Sequence, residues 1–215
     1  PKVIVYGSTH CQEILQRPNA KVLMKKLGTA ARDLYRPDSK EEIPVDDLAV
    51  DIALKDGDMV SLGNETIQAI EAKGHTDCSM AYALEPDGIL FTSESTGIVE
   101  AGLAINTPIL KSFADAMTSL EKCRGYGAKY ICLPHFGLIP QDFNEEYWMQ
   151  FQQGCEDRIQ MVREMKKEGL DADQMLERYR DRYWDPIMEQ EQPIEAFLIN
   201  AKNIIKAALR ALDEK

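Results

Sequence analysis

Between Val50 and Phe91 four short apolar runs, "VDIAL", "TIQAIEA", "MAYAL" and "GILFT", are separated by the turn-forming stretches "KDGD", "LGN" and "EPDG". Runs of this length, rich in β-branched and aromatic residues and bounded by Gly, Asp, Asn and Pro, read as β-strands. A chain built this way must bury a sheet, and the remaining pattern says what covers it. Residues 2–6, "KVIVY", and 129–133, "KYICL", read as further buried strands. The Thr9-x-x-Gln12 spacing of a capping box predicts a short helix, and a second helix is expected from about Ala20 to Tyr35. Pro37 and Pro44 mark a loop. Residues 107–122 place Ile109, Leu110, Phe113, Met117 and Leu120 on one helical face.

Beyond Pro140 the pattern is helical alone. Asp142 with Glu145 predicts the start of a helix reaching about Lys167, Gly169 its end, and Asp171 with Gln174 the start of the next. The last helix is the most regular: Ile194, Phe197, Leu198, Ala201, Ile204, Ile205, Ala208, Leu209 and Leu212 form an apolar stripe. The expected organisation is therefore a mixed α/β (α+β) body over 1–140 and a helical extension over 141–215. At 215 residues the chain is somewhat larger than a usual single domain, which suits one body with an addition. The aromatic set Tyr147, Trp148, Phe151, Tyr179, Tyr183, Trp184 and Phe197 lies in the extension, where it serves helix packing or shapes an apolar pocket. The stripe over 194–212 serves packing, a lid, or a homodimer contact.

The net charge of −11 argues against a surface built for nucleic acid or anionic membrane, and leaves small-molecule or protein partners. No apolar run approaches the roughly 20 residues of a membrane helix. Cys11, Cys78, Cys123, Cys132 and Cys155 show no Cys-x-x-Cys pair, which suits reduced thiols in a cytoplasm and small buried hydrophobes. The chain opens on Pro1 with a core-type strand immediately after it, so the expectation is a fragment of a longer protein.

Three residues carry the candidate chemistry: His75 in "KGHTDCSMAYAL", Glu94 in "LFTSESTG" and His135 in "ICLPHFG". Each lies beside a strand end, where loops from distant positions gather. Two imidazoles and a carboxylate suit zinc, iron or manganese. The stretch "DGDMVSLGNETIQAIEAKGHTDCSMAYALEPDGILFTSES" resembles the central part of the metallo-β-lactamase superfamily, in which a Gly-His-Thr turn precedes a strand, a turn and a Leu-Phe-x-x-acid strand. "KVIVYGSTHCQEIL" is similar to the strand and helix after that family's first metal motif, and "ICLPHFG" to its last metal-binding turn.

The resemblance, over about 1–140, implies a four-layer αββα sandwich, incomplete at the N-terminus, with metals at one edge of the paired sheets. It implies His75 as the ligand after the glycine turn, Glu94 in place of an acidic ligand able to bridge two ions, and His135 as the last histidine. One or two divalent ions, zinc first and iron or manganese next, would then provide a metal-bound hydroxide. The implied activity is hydrolysis of an ester, thioester, lactone or phosphoester. A non-catalytic binding or regulatory protein on the same fold is the alternative, and a di-iron oxygen-reducing enzyme a variant that needs a flavin-bearing partner. Two features depart from the family pattern: its usual acid is aspartate, and its His-x-His-x-Asp-His motif, which lies before the strand matched by "KVIVY", is absent from this sequence, so the hydrolase expectation is for a longer protein that carries that motif, and His75, Glu94 and His135 alone supply at most three ligands spread over two sites. His10 stands outside the implied ligand set and reads as a surface or capping residue. Ser93 and Thr96 are placed either to orient the Glu94 carboxylate or to satisfy a turn, and Asp77 to hydrogen-bond near the metal or to serve as a turn residue.

Overall fold

The computed structural model describes residues 3–214. In chain order the elements are β1 (Tyr6–Ser8), α1 (Thr9–Leu15), α2 (Pro18–Tyr35), β2 (Ile52–Leu54), β3 (Met59–Ser61), β4 (Thr66–Glu71), β5 (Met80–Glu85), β6 (Ile89–Phe91), β7 (Ile98–Val99), β8 (Ile105–Asn106), α3 (Phe113–Gly125), β9 (Tyr130–Leu133), β10 (Gly137–Leu138), α4 (Asn144–Lys167), α5 (Ala172–Tyr183), α6 (Pro186–Glu191) and α7 (Ile194–Asp213). Six strands form one sheet in the order β10-β9-β6-β5-β4-β3, while β1 pairs with β2 and β7 with β8. Strands β3 to β6 are an antiparallel meander, and β9 then joins β6 in parallel. The crossover that this parallel pairing needs runs through α3.

Strand alternation decides which side chains enter the core. Ala83 sits opposite Leu90, which sits opposite Ile131, and all three are buried with Ile70, Ala81 and Leu133. Helix α3 covers this face through Phe113, Ala116, Leu120 and Cys123. The small Ala81 and Ala83 leave room for it. The opposite face carries Tyr82, Phe91 and Cys132 in one cross-strand row, with Phe91 and Leu138 exposed. Ser8, at the end of β1, donates to the Cys78 carbonyl just before β5, which brings the β1–β2 ribbon and α1 alongside the sheet.

One hydrophobic cluster runs from the sheet through α3 into the C-terminal helices. Tyr147, Trp148, Phe151, Cys155, Val162 and Met165 of α4 are buried in it, as are Phe197, Ala201, Ile204, Ile205 and Ala208 of α7. The apolar stripe of α7 therefore packs within the chain, on α3, α4 and α5.

Several sequence expectations need correction. Of the strand expected over 2–6, Lys2 lies outside the described residues, while Val3, Ile4 and Val5 are exposed and the strand is Tyr6–Ser8. The short helix there is capped by Ser8, whose hydroxyl accepts from the Cys11 amide, rather than by Thr9. The helix expected over 107–122 starts at Phe113, because the Lys111 and Ser112 amides are tied to the Gly74 carbonyl and the Ser112 hydroxyl caps Asp115. Asp142 and Glu145 form no capping box: a short turn over Gln141–Phe143 leads into α4 without a side-chain cap. The Asp171–Gln174 box is formed in both directions.

Candidate metal centre

Strands β4, β6 and β9 all run the same way across the sheet, so the loops that follow them leave from one edge. His75 lies in the first loop, Glu94 in the second and His135 in the third. The sheet topology alone thus brings three residues 19 to 60 positions apart to a common place.

The His75 loop is held from three sides. Gly74 has φ +138°, and a Cβ there would lie 2.7 Å from the Ala116 Cβ and 2.8 Å from its Cα, so glycine lets the loop touch the backbone of α3. The Gly74 carbonyl accepts from the Lys111 amide at 2.9 Å, and the Lys73 carbonyl from the Ser119 hydroxyl at 2.7 Å. The His75 amide donates to Ser95 Oγ at 3.0 Å. Its ring Nδ1 lies 2.6 Å from the Pro108 carbonyl, an acceptor only, which places the proton on Nδ1. Nε2, the other ring nitrogen, lies 3.1 Å from Glu94 Oε2.

Glu94 begins a single 3-10 turn over Glu94–Thr96 directly after β6. The Ser93 hydroxyl caps the turn by accepting from the Ser95 amide, and the Thr96 hydroxyl donates to the Ser93 carbonyl. Buried Tyr147 donates to Thr96 at 2.8 Å, which locks the turn to α4. His135 sits in the β9–β10 turn at φ +64° and presents Nε2 to Glu94 Oε1 at 3.2 Å. Each carboxylate oxygen therefore meets one imidazole. Side-chain exposure rises across the set, from 14% for His75 through 36% for Glu94 to 68% for His135.

Two imidazoles that each face one oxygen of a shared carboxylate are a donor set of the kind that suits a divalent ion. His75 has the arrangement typical of a metal-binding imidazole, with its other nitrogen fixed by a carbonyl. Among the described residues no group of three or more His, Cys, Asp or Glu side chains is already disposed as a metal cage. His75, Glu94 and His135 are an open set joined pairwise through Glu94.

The remaining expected residues bond elsewhere. Asp77 is paired with Lys111 at 3.7 Å. Ser93 and Thr96 are engaged by the turn rather than by the Glu94 carboxylate. His10 pairs with Glu13 at 3.3 Å, away from the site. Sequence reasoning missed the Pro108 carbonyl, for which no side-chain signal exists.

A cleft of about 1360 Å³ opens from His75, Glu94 and His135 toward the C-terminal helices. Ile98, Met161, Ile187 and Phe197 are among its apolar walls. At its far side Arg158 is buried, its guanidinium donating to Tyr179 Oη, Asn106 Oδ1 and the Gly154 carbonyl and lying 4.6 Å from the Tyr183 ring centre. This buried arginine was not foreseen, because its place in the α4 pattern reads as an exposed charge.

No family model matches the sequence. Among solved structures the chain is similar to a beta-lactamase domain protein from Burkholderia ambifaria, with 16% identity and a TM-score of 0.57 over 98% of this chain and 59% of that one. It is also similar to a metallo-beta-lactamase family protein from Thermus thermophilus, with 18% identity and a TM-score of 0.51 over 99% of this chain and 67% of that one. A metallo-beta-lactamase superfamily protein from Sulfolobus tokodaii aligns with 68% of this chain and 57% of its own length, at 20% identity and a TM-score of 0.49. The chain thus spans between 57% and 67% of these proteins. Its fold is that of the metallo-β-lactamase superfamily, as expected from the order of the "GHT", "LFTSES" and "LPHFG" stretches. No helix among the described residues is long and apolar enough to cross a membrane.

Proposed function

We propose that the protein is a metal-dependent hydrolase in which His75, Glu94 and His135 hold a divalent ion, zinc before iron or manganese. The observation that supports this is the shared carboxylate: Glu94 meets His75 Nε2 at 3.1 Å and His135 Nε2 at 3.2 Å, while the Pro108 carbonyl keeps the His75 proton on the opposite nitrogen. A divalent ion bound there supplies a Lewis acid and lowers the pKa of water toward neutrality. The chain's own part is positional. Ser95 and Pro108 fix the His75 loop and ring, the Tyr147-locked turn fixes Glu94, and the apolar side chains of the cleft offer a surface for the non-polar part of a small substrate. The substrate class proposed is an ester, thioester, lactone or phosphoester. The five free cysteines agree with a cytoplasmic setting.

The test is metal titration of the whole chain by calorimetry, with zinc, manganese and ferrous iron in turn, followed by assay on p-nitrophenyl esters, a thioester, a lactone and bis-p-nitrophenyl phosphate. One ion bound, weakened on the order of a hundredfold by His75→Ala and by His135→Ala, is the expected result. If no ion binds at any supply, or if His75→Ala binds as well as the parent, the hydrolase reading fails and a binding protein on this fold takes its place.

A further inference from the structure

Cys11 in α1 and Cys78 in the loop before β5 are 67 positions apart, yet one hydroxyl joins their backbones. Ser8 Oγ accepts from the Cys11 amide at 3.1 Å and donates to the Cys78 carbonyl at 2.9 Å. Burial pushes the Cys11 thiol up, and the neighbouring Cys78 thiol adds to the rise. The Cys78 Sγ also lies 3.3 Å from the Thr76 hydroxyl. Both residues are half-buried free thiols, whereas Cys123 and Cys155 are buried and their thiols are pushed up to about 12 by desolvation. A disulfide needs two cysteines whose backbones already approach and whose thiols face each other, and a thiol must reach its oxidant.

We propose that Cys11 and Cys78 are a reversible disulfide site that straps α1 to the loop carrying His75. The co-reactant is hydrogen peroxide. The Cys78 thiolate attacks the peroxide oxygen, the O–O bond breaks, and Cys78 becomes a sulfenic acid with release of water. The Cys11 thiolate then attacks that sulfur, the S–S bond forms, and a second water leaves. Two thiols and one hydrogen peroxide thus give one disulfide and two waters, with both electrons passing from sulfur to oxygen. His75 lies three residues before Cys78, so the bond would tie the metal loop covalently to the β1–α1 unit. The site itself does not depend on the metal reading, because both cysteines and the Ser8 bridge lie outside the proposed ligand set.

The experiment treats the full native chain with hydrogen peroxide, blocks remaining thiols with iodoacetamide, and maps peptides without reduction. A peptide pair joined through Cys11 and Cys78 is expected, exceeding any other pairing by on the order of tenfold, as proximity dictates. It should vanish on reduction with dithiothreitol and be absent from Cys78→Ser. The melting temperature of the oxidised parent should rise and return on reduction, and that of Cys11→Ser should not move. Three results overturn the proposal: alkylation of both Cys11 and Cys78 after oxidation, a dominant link to Cys132, or the same mixture of pairings from the native chain as from the chain unfolded in urea.

Discussion

Replacing Gly74 with alanine tests whether the His75 loop is held by close contact with α3. The new Cβ would lie 2.7, 2.8 and 3.0 Å from the Cβ, Cα and N of Ala116, against the ~3.5–4.0 Å of ordinary carbon contact. None of these atoms belongs to a flexible side chain, so the loop or the helix must move by on the order of 1 Å. Such overpacking costs about 1–3 kcal/mol, and the positive φ of +138° adds about 1–3 kcal/mol for a non-glycine residue. Gly57 supplies the control. It has φ +84° with nothing within 4 Å of its Cβ position, so Gly57→Ala bears the backbone term alone. Equilibrium unfolding in urea, followed by circular dichroism, should place Gly74→Ala below Gly57→Ala by roughly 1–3 kcal/mol at unchanged slope. Equal losses for the two variants would refute the contact argument.

Arg158→Met should cost roughly 2–4 kcal/mol by leaving the buried Tyr179 and half-buried Asn106 oxygens without this donor, and Arg158→Lys should restore less than half, since an ammonium lacks the planar fork. Thermal melts of the two variants check this. Burial pushes the Asp56 carboxyl up, but the Lys122 ammonium at 2.8 Å and the Glu71 amide at 2.7 Å outweigh it and hold the group below its ordinary value. Its stabilising contribution is therefore present above the usual aspartate range, near ~4, and fades as pH falls through the lower folded value. The melting-temperature gap between the parent and Asp56→Asn should accordingly shrink on acidification from about pH 6 to about pH 3, and a gap that widens contradicts the sign.

The sheet was legible because its members are short apolar runs bounded by turn residues: "TIQAIEA", "MAYAL" and "KYICL" became β4, β5 and β9. The pairs β7–β8 and β10 were not, since two-residue strands carry no period to read. The start of α3 was misplaced for a related reason. Ile109 and Leu110 continue the helical pattern of the residues after them, but the amides of Lys111 and Ser112 are spent on Gly74, a tertiary bond invisible to periodicity. The candidate site shows the same division. His75, Glu94 and His135 could be named from residue type and order, whereas their meeting depends on β4, β6 and β9 running in one direction, and the tautomer of His75 depends on a backbone carbonyl 33 positions away.

Glutamate at 94, where the family that the sequence resembles would place aspartate, is the feature on which the proposed centre turns. Glu94→Asp removes one methylene, about 1.5 Å of reach. His75 cannot follow the retreating carboxylate, since its amide is bound to Ser95 and its ring to Pro108. His135, exposed in a turn, has more freedom to do so. The shortened carboxylate should thus keep His135 and lose His75, so metal affinity should fall on the order of ten- to a hundredfold, as with other displaced ligand partners. Glu94→Gln keeps the reach and removes the charge, so titration of both variants separates length from charge. If Glu94→Asp binds as tightly as the parent, the loop bearing residue 94 adjusts freely, and the rigidity assigned to the turn held by Ser93, Thr96 and Tyr147 is wrong. If Glu94→Asp binds weakly and Glu94→Gln more weakly still, the site is one in which a full carboxylate, set at glutamate's length between two imidazoles, holds the ion.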